Sequence, residues 1–181
     1  MNRIYIYGVP GTGKSTLAKE VARSIHCRFV ELDAVRPIAQ AKVNIYQEPF
    51  LYEYTTEAWK KFGPLNYKNV VKGLVGIRQA FKPFIEQELA KYSGNVIAEA
   101  VFVEPSESAI FITNSDEELH YNNFFVHRRR NKDADLQFQA ARLMQDFLIQ
   151  EAKEKSLTIV ENRTIEDSTT AIIATVAKFV Q

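Results

Sequence analysis

The ten residues from Tyr7 to Thr16 read YGVPGTGKST, and their types and spacing suit one kind of chemistry. Gly8, Gly13, Lys14 and Ser15 fill every fixed position of G-x-x-x-x-G-K-[ST], with Val9, Pro10, Gly11 and Thr12 between them. In such a loop the glycines let successive backbone N–H groups turn inward around a phosphate, and the start of the following helix adds partial positive charge. Lys14 is then placed to bridge the β- and γ-phosphates of a nucleotide, Ser15 to hold Mg²⁺ through its hydroxyl, and Thr16 to close the loop's contacts.

Phosphate binding alone does not separate kinases from hydrolysing switches and motors. The chain carries no Asp-x-x-Gly turn and no Asn-Lys-x-Asp loop, so the γ-phosphate sensor and guanine reader of a regulatory GTPase are absent and ATP is the expected nucleotide. A motor ATPase usually ends an apolar strand in Asp-Glu; the nearest counterpart, VIAEA, offers Glu99 with no acidic neighbour. Two acids remain for chemistry on an acceptor. Asp33 in ELDAVR follows the second apolar run and Glu99 lies late in the third, and ligand contacts in parallel sheets gather at the carboxyl ends of strands. Asp33 suits orienting or deprotonating an acceptor hydroxyl, and also suits capping the helix that follows. Glu99 suits the same task or holding a magnesium-bound water, because an acid among VIAEAVF needs a partner.

Arginines supply the matching positive charge. Arg36, three residues after Asp33, falls on the same face and suits an anionic acceptor or plain solvent. Arg128, Arg129 and Arg130 in FFVHRRRNK suit a lid folding over the γ-phosphate, with Arg128 expected to matter most, or else a solvated charge run. Asn162 and Arg163, just past the last apolar run, fall where such folds contact adenine.

The elements that must hold these residues alternate short strands with longer helices, the pattern of a parallel sheet covered on both faces. RIYIY, RFVEL, NVIAEAVF, AIFIT and LTIVE predict about five strands, in the order 2-3-1-4-5, of a three-layer α/β P-loop sandwich with a small lid. Helices are predicted over residues 14–25, from 70 to 89 with a kink at Pro83, along a face carrying Leu136, Ala140, Leu143, Phe147 and Leu148, and over 169–180. Residues 44–67, rich in aromatics and broken by Pro49 and Pro64, predict short helices and loops in a substrate-side insertion, and 120–132 predict the lid. Nothing in residues 1–181 suggests a second domain.

Composition sets the remaining bounds. The 181 residues are 46% hydrophobic and 25% charged, with a formal net charge of +1 that gives no field for gathering nucleic acid or anionic membrane. No run of 18 apolar residues and no leader-like segment occurs, which predicts a cytoplasmic protein, and the lone Cys27 reads as a buried small residue.

With these residues placed, the chain resembles the archaeal-type 2-phosphoglycerate kinases, relatives of nucleotide and shikimate kinases. The resemblance runs through GVPGTGKSTLA, LDAVRPIAQ where those kinases carry Asp-x-Val-Arg, and VIAEAVFVEP, similar to their strand ending in Glu-Gly-Val-His and a proline. It continues in HYNNFFVHRR, in place of His-x-x-Arg-Phe-x-x-Arg, and in ARLMQDFLIQEA before LTIVEN. It implies ATP as donor, Mg²⁺ as cofactor and a phosphorylated small acid as acceptor. Ala100 stands where those kinases tend to have glycine, Phe102 where they have histidine, and Asn123 and His127 where arginines are expected. A nucleoside or nucleotide kinase, and an ATP-binding regulatory module that signals through a partner, are the other readings.

Overall fold

Alternation along the first strand, β1 (Arg3–Tyr7), places two hydrophobic clusters on opposite faces of a sheet. Ile4 and Ile6 join Leu17, Val21, Ile97, Ile110, Ile112 and Ile172 on one side. Tyr7 joins Leu74, Phe81, Phe111 and Met144 on the other. Side chains of period two thus serve two cores at once, which is why these strands read as nearly continuous apolar runs. The computed structural model describes residues 3–126 and 130–179.

Five parallel strands run in the order β2-β3-β1-β4-β5, as the sequence predicts. They are β1, β2 (Arg28–Glu31), β3 (Val96–Glu99), β4 (Ala109–Thr113) and β5 (Thr158–Glu161). The first cluster is covered by α1 (Lys14–Ser24) and α6 (Ile165–Val176), and the second by α3 (Tyr67–Leu89) and α5 (Ala134–Glu154). Two shorter helices, α2 (Val35–Lys42) and α4 (Glu117–Phe125), lie at the carboxyl ends of β2 and β4. Each fully buried Leu, Ile or Phe in these clusters contributes about 1.5–3 kcal/mol. No helix among the described residues is long and apolar enough to cross a membrane.

The insertion forms two 3₁₀ turns, Pro49–Tyr52 and Ala58–Phe62. Leu51, Ala58 and Trp59 sink into the α3-side cluster, and the Trp59 indole N–H donates to the Thr56 carbonyl at 2.9 Å. Tyr46 remains 94% exposed and Tyr54 is also open to solvent.

Four elements depart from the predicted ones. β3 stops at Glu99; Val101, Phe102 and Val103 stay buried but leave the sheet to pack on the α3 side, Phe102 lying 4.8 Å from the Phe81 ring. α4 is additional, started by Asp116, whose carboxylate accepts from Leu119 N–H at 2.9 Å, with Glu117 and Glu118 in the first turn. α6 begins at Ile165 rather than 169 because Thr164 accepts from the Asp167 N–H at 3.2 Å. The buried face of α5 carries Phe138, Ala141, Met144 and Leu148, leaving Leu136 exposed. Phe138 turns inward to meet His120, Tyr121 and Phe124 of α4. Cys27 is only partly buried.

Candidate active site

The strand register brings the acids to the phosphate loop. Ile6 of β1 and Glu31 of β2 both pair with Glu99 of β3, so the chain leaves all three strands at one edge of the sheet. There the loop runs from Gly8 into α1. Helices α3, α4 and α6 each start with a side chain that accepts a backbone N–H. α1 has no such cap and no acid in its first turn, so its positive end is left for an anion.

The loop itself is braced from within and without. Gly11 and Gly13 take φ of +88° and +82°, a left-handed conformation that side chains disfavour. The Thr12 hydroxyl donates to the Val9 carbonyl at 2.9 Å. On the outside, the Asn162 amide donates to the Thr12 carbonyl at 2.8 Å while its oxygen accepts from the Ser168 hydroxyl at 3.0 Å. Because a trans peptide points its C=O and N–H oppositely, holding the Thr12 carbonyl outward aims the Gly13 N–H away from Asn162.

A cleft of about 510 Å³ opens along the loop, lined by Gly11, Gly13, Lys14, Ser15 and Thr16 and, further along, by Asn123, Val126, Asn162 and Ile165. Lys14 Nζ lies 3.1 Å from Glu99 Oε1, and the Glu99 side chain is 1% exposed. Neither Glu99 oxygen has a hydrogen-bond partner. A buried carboxylate so placed is tolerated only beside a counter-charge, so the acid and the loop lysine stabilise each other.

Asp33 sits in a 3₁₀ turn, Leu32–Ala34, and caps no helix: neither that turn nor α2 has a side-chain cap. Its capping reading therefore falls away. The carboxyl opens to solvent, yet the protein around it is dense enough that desolvation holds its pKa above the usual carboxylate value. Lys14 and Arg36 oppose that rise, and Glu99 and Glu31 add to it. Arg36 is engaged elsewhere in part: its Nη1 donates to the Leu51 and Glu53 carbonyls at 2.8 and 3.0 Å. These bonds pin residues 51–53 to α2, and the guanidinium also lies 4.7 Å from the Phe81 ring of α3. Desolvation lowers the Arg36 pKa, while Asp33 raises it.

The structure thus gathers Gly8 to Thr16, Asp33 and Glu99 at one edge and ties Asn162 to the loop backbone. Arg128 and Arg129 of the predicted lid, with His127, lie outside the described residues. Arg130 is exposed and lies over the Tyr121 and Phe125 rings of α4, at 5.3 and 5.1 Å. Sequence reasoning missed Val126 and Ile165, 64% and 41% exposed, which line the same cleft as Asn162. Ile165, a lone apolar residue in NRTIED, was the available signal.

The donor set fits Mg²⁺. Ser15 offers a hydroxyl in the cleft, and the adjacent Lys14 pairs with a buried carboxylate whose oxygens lack hydrogen bonds. Among the described residues no group of three or more His, Cys, Asp or Glu could hold a metal. A cation here would complete its shell with water and nucleotide phosphates, the manner of Mg²⁺ rather than of a protein cage.

Loop and strand order together define an α/β protein with the P-loop fold. Residues 4–64 match the family described as ATPase family associated with various cellular activities (AAA). That match ends before β3, where Glu99 is followed by Ala100 rather than a second acid. Over nearly its whole length the chain is similar to the 2-phosphoglycerate kinase of Methanocaldococcus jannaschii, with 26% identity over 184 residues, 91% of this chain and 60% of that protein. The chain spans about three fifths of the length of the curated relatives it matches. Its fold is shared with a shikimate kinase from Acinetobacter baumannii in complex with shikimate, at TM-score 0.60 and 15% identity, covering 99% of this chain and 94% of that one. A deoxyadenosine kinase from M. mycoides with bound dATP gives TM-score 0.56 and 13% identity over 98% of this chain and 100% of that one.

Proposed function

We propose that the chain is an ATP- and Mg²⁺-dependent small-molecule kinase whose acceptor is a phosphorylated hydroxy acid such as 2-phosphoglycerate. The observation that carries this reading is the pairing of Lys14 with buried Glu99, with Asp33 close enough for both to act on its proton affinity. A phosphate-binding loop needs the lysine alone; two acids beside it suit an acceptor hydroxyl as well.

In this reading the loop N–H groups and Lys14 hold the β- and γ-phosphates, and Ser15 would hold Mg²⁺, which when bound would neutralise charge on the transferring group. Asp33 orients the acceptor hydroxyl and takes its proton as the oxygen bonds to the γ-phosphorus and the bond to ADP breaks. A raised pKa makes Asp33 the better proton acceptor. Arg36, through the N–H groups that the insertion leaves free, favours an anionic acceptor, and Arg128 closes over the γ-phosphate. Val126 and Ile165 provide apolar surface for the adenine, with Asn162 holding the loop beside it. The chain's similarity to 2-phosphoglycerate kinases supports the acceptor class.

A nucleoside or nucleotide as acceptor is the second reading, favoured by the exposed Tyr54 ring 5.7 Å from the Arg36 guanidinium, a surface suited to a flat group. The test is ATP turnover with phosphorylated acids, nucleosides and nucleotides offered separately. Turnover strongly dependent on 2-phosphoglycerate supports the first reading, and dependence on a nucleoside the second. Turnover indifferent to every acceptor would replace both with an ATP-binding regulatory module.

A further inference from the structure

Beneath the phosphate loop lies a histidine that the proposed chemistry does not use. His120 of α4 is completely buried. Its Nε2 is 2.8 Å from the Pro10 carbonyl, and its Nδ1 is 3.2 Å from Nη1 of Arg142 on α5. The same Nη1 lies 2.9 Å from the Asn114 carbonyl at the end of β4. Arginine only donates, so Nδ1 must accept, and the ring proton sits on Nε2 and is donated to Pro10.

This bond has a directional consequence. The Pro10–Gly11 peptide is trans, so drawing its carbonyl toward His120 points the Gly11 N–H the opposite way. Gly11 lines the phosphate cleft. The fit is tight: a Cβ on Gly11 would come within 2.9 Å of both the His120 ring and the Phe124 backbone. Phe124 and Phe138 present ring edges to the imidazole at 6.5 and 5.1 Å, fixing its plane. Asn162 does the same for the Thr12 carbonyl on the other side of Gly11.

We infer that His120 is a positioning residue for nucleotide binding: by holding the Pro10 carbonyl outward, it keeps the Gly11 N–H aimed at the bound phosphates, with Arg142 fixing its tautomer. This rests on the loop being a nucleotide site, and it adds a requirement absent from the loop motif. Protonation of the ring would remove the acceptor at Nδ1 and set a cation against Arg142. Arg142 and Glu117 are the charged groups acting on the ring; burial, reinforced by Arg142, holds its pKa below the usual histidine value.

The test is ATP titration of three proteins. His120→Phe keeps a ring between Phe124 and Phe138 but loses the donor, and should weaken ATP binding by about tenfold or more. His120→Gln restores an N–H near the place of Nε2 and should stay within about threefold of wild type. Relative to His120→Gln, which cancels the titration of ATP itself, wild-type affinity should fall as pH drops below the ordinary histidine range, a dependence that packing alone would not give. Equal ATP affinity in all three proteins would overturn the inference while leaving the proposed function intact. No ATP binding by wild type would overturn both. Should His120→Phe fail to fold, imidazole ¹⁵N resonances of the wild type decide: a proton on Nε2 and a shift on adding ATP support the role, and a proton on Nδ1 or an unmoved resonance overturns it.

Discussion

Lys14, Glu99 and Asp33 differ in what the sequence could say of them. For Lys14 the four spaced motif positions point to phosphate, and replacing it with Ala should lower turnover by at least about 100-fold in a turnover assay, while the melting temperature also falls because buried Glu99 loses its counter-charge. Glu99 was legible as an acid in an apolar strand, but its partner was not: contact with Lys14 across the sheet edge depends on strand order. For Asp33 the sequence left capping and catalysis open, since both call for an acid before a helix. The structure removes the cap and supplies a sign. Its folded-state pKa lies above the ordinary value, so ionising Asp33 costs the folded chain stability as pH rises through and above that value. Asp33→Asn cannot ionise and so should not lower the melting temperature at neutral pH, while acceptor-dependent turnover falls. The acid limb of the wild-type rate should lie above the normal carboxylate range. A melting temperature that drops with turnover unchanged would return Asp33 to a structural role.

Among the elements, strands were legible because their apolar runs are short and bounded, whereas α4 was not. Its sequence, EELHYNNFF, buries only His120 and Phe124, too few for a helical stripe, and its start signal, Asp116 with Glu117 and Glu118, stands directly before them. Missing α4 also misplaced the buried face of α5, whose Phe138 packs on it. The position of α4 explains a glycine that the loop motif does not require. Gly11 is a variable position of G-x-x-x-x-G-K-[ST], yet it combines a positive φ with direct contact to α4. Gly11→Ala should therefore lower stability by about 1–3 kcal/mol through backbone strain and push α4 away from the loop. Thermal melting and ATP titration should register both effects together. Lower stability with unchanged ATP affinity would show that α4 and the loop move independently.

At the scale of the molecule, two closed cores hold an open edge where a buried acid and the loop lysine balance each other. Buried Glu99 is paired with Lys14, and a bound triphosphate would draw that lysine to its own oxygens. Nucleotide binding must then break the ion pair, leaving Glu99 uncompensated unless Mg²⁺ and its waters arrive with the nucleotide. Wild-type ATP affinity should accordingly rise steeply with Mg²⁺. Glu99→Gln removes the acid that Lys14 would have to leave. Its free form should melt lower than wild type, because Lys14 loses its partner, whereas its complex with ATP should recover much of the difference. At an ATP concentration of about 100 times Kd the expected stabilisation is about 2.7 kcal/mol, enough to read as a melting shift. The shift should thus be larger in Glu99→Gln than in wild type when Mg²⁺ is withheld, and the two should converge when it is supplied. Turnover should fall in the variant even as binding without metal improves, separating the acid's part in transfer from its part in holding the resting site. If Glu99→Gln instead shows the wild-type dependence on Mg²⁺ and a smaller ATP-induced shift, then Lys14 does not exchange partners on binding, and Glu99 acts on the acceptor side of the site.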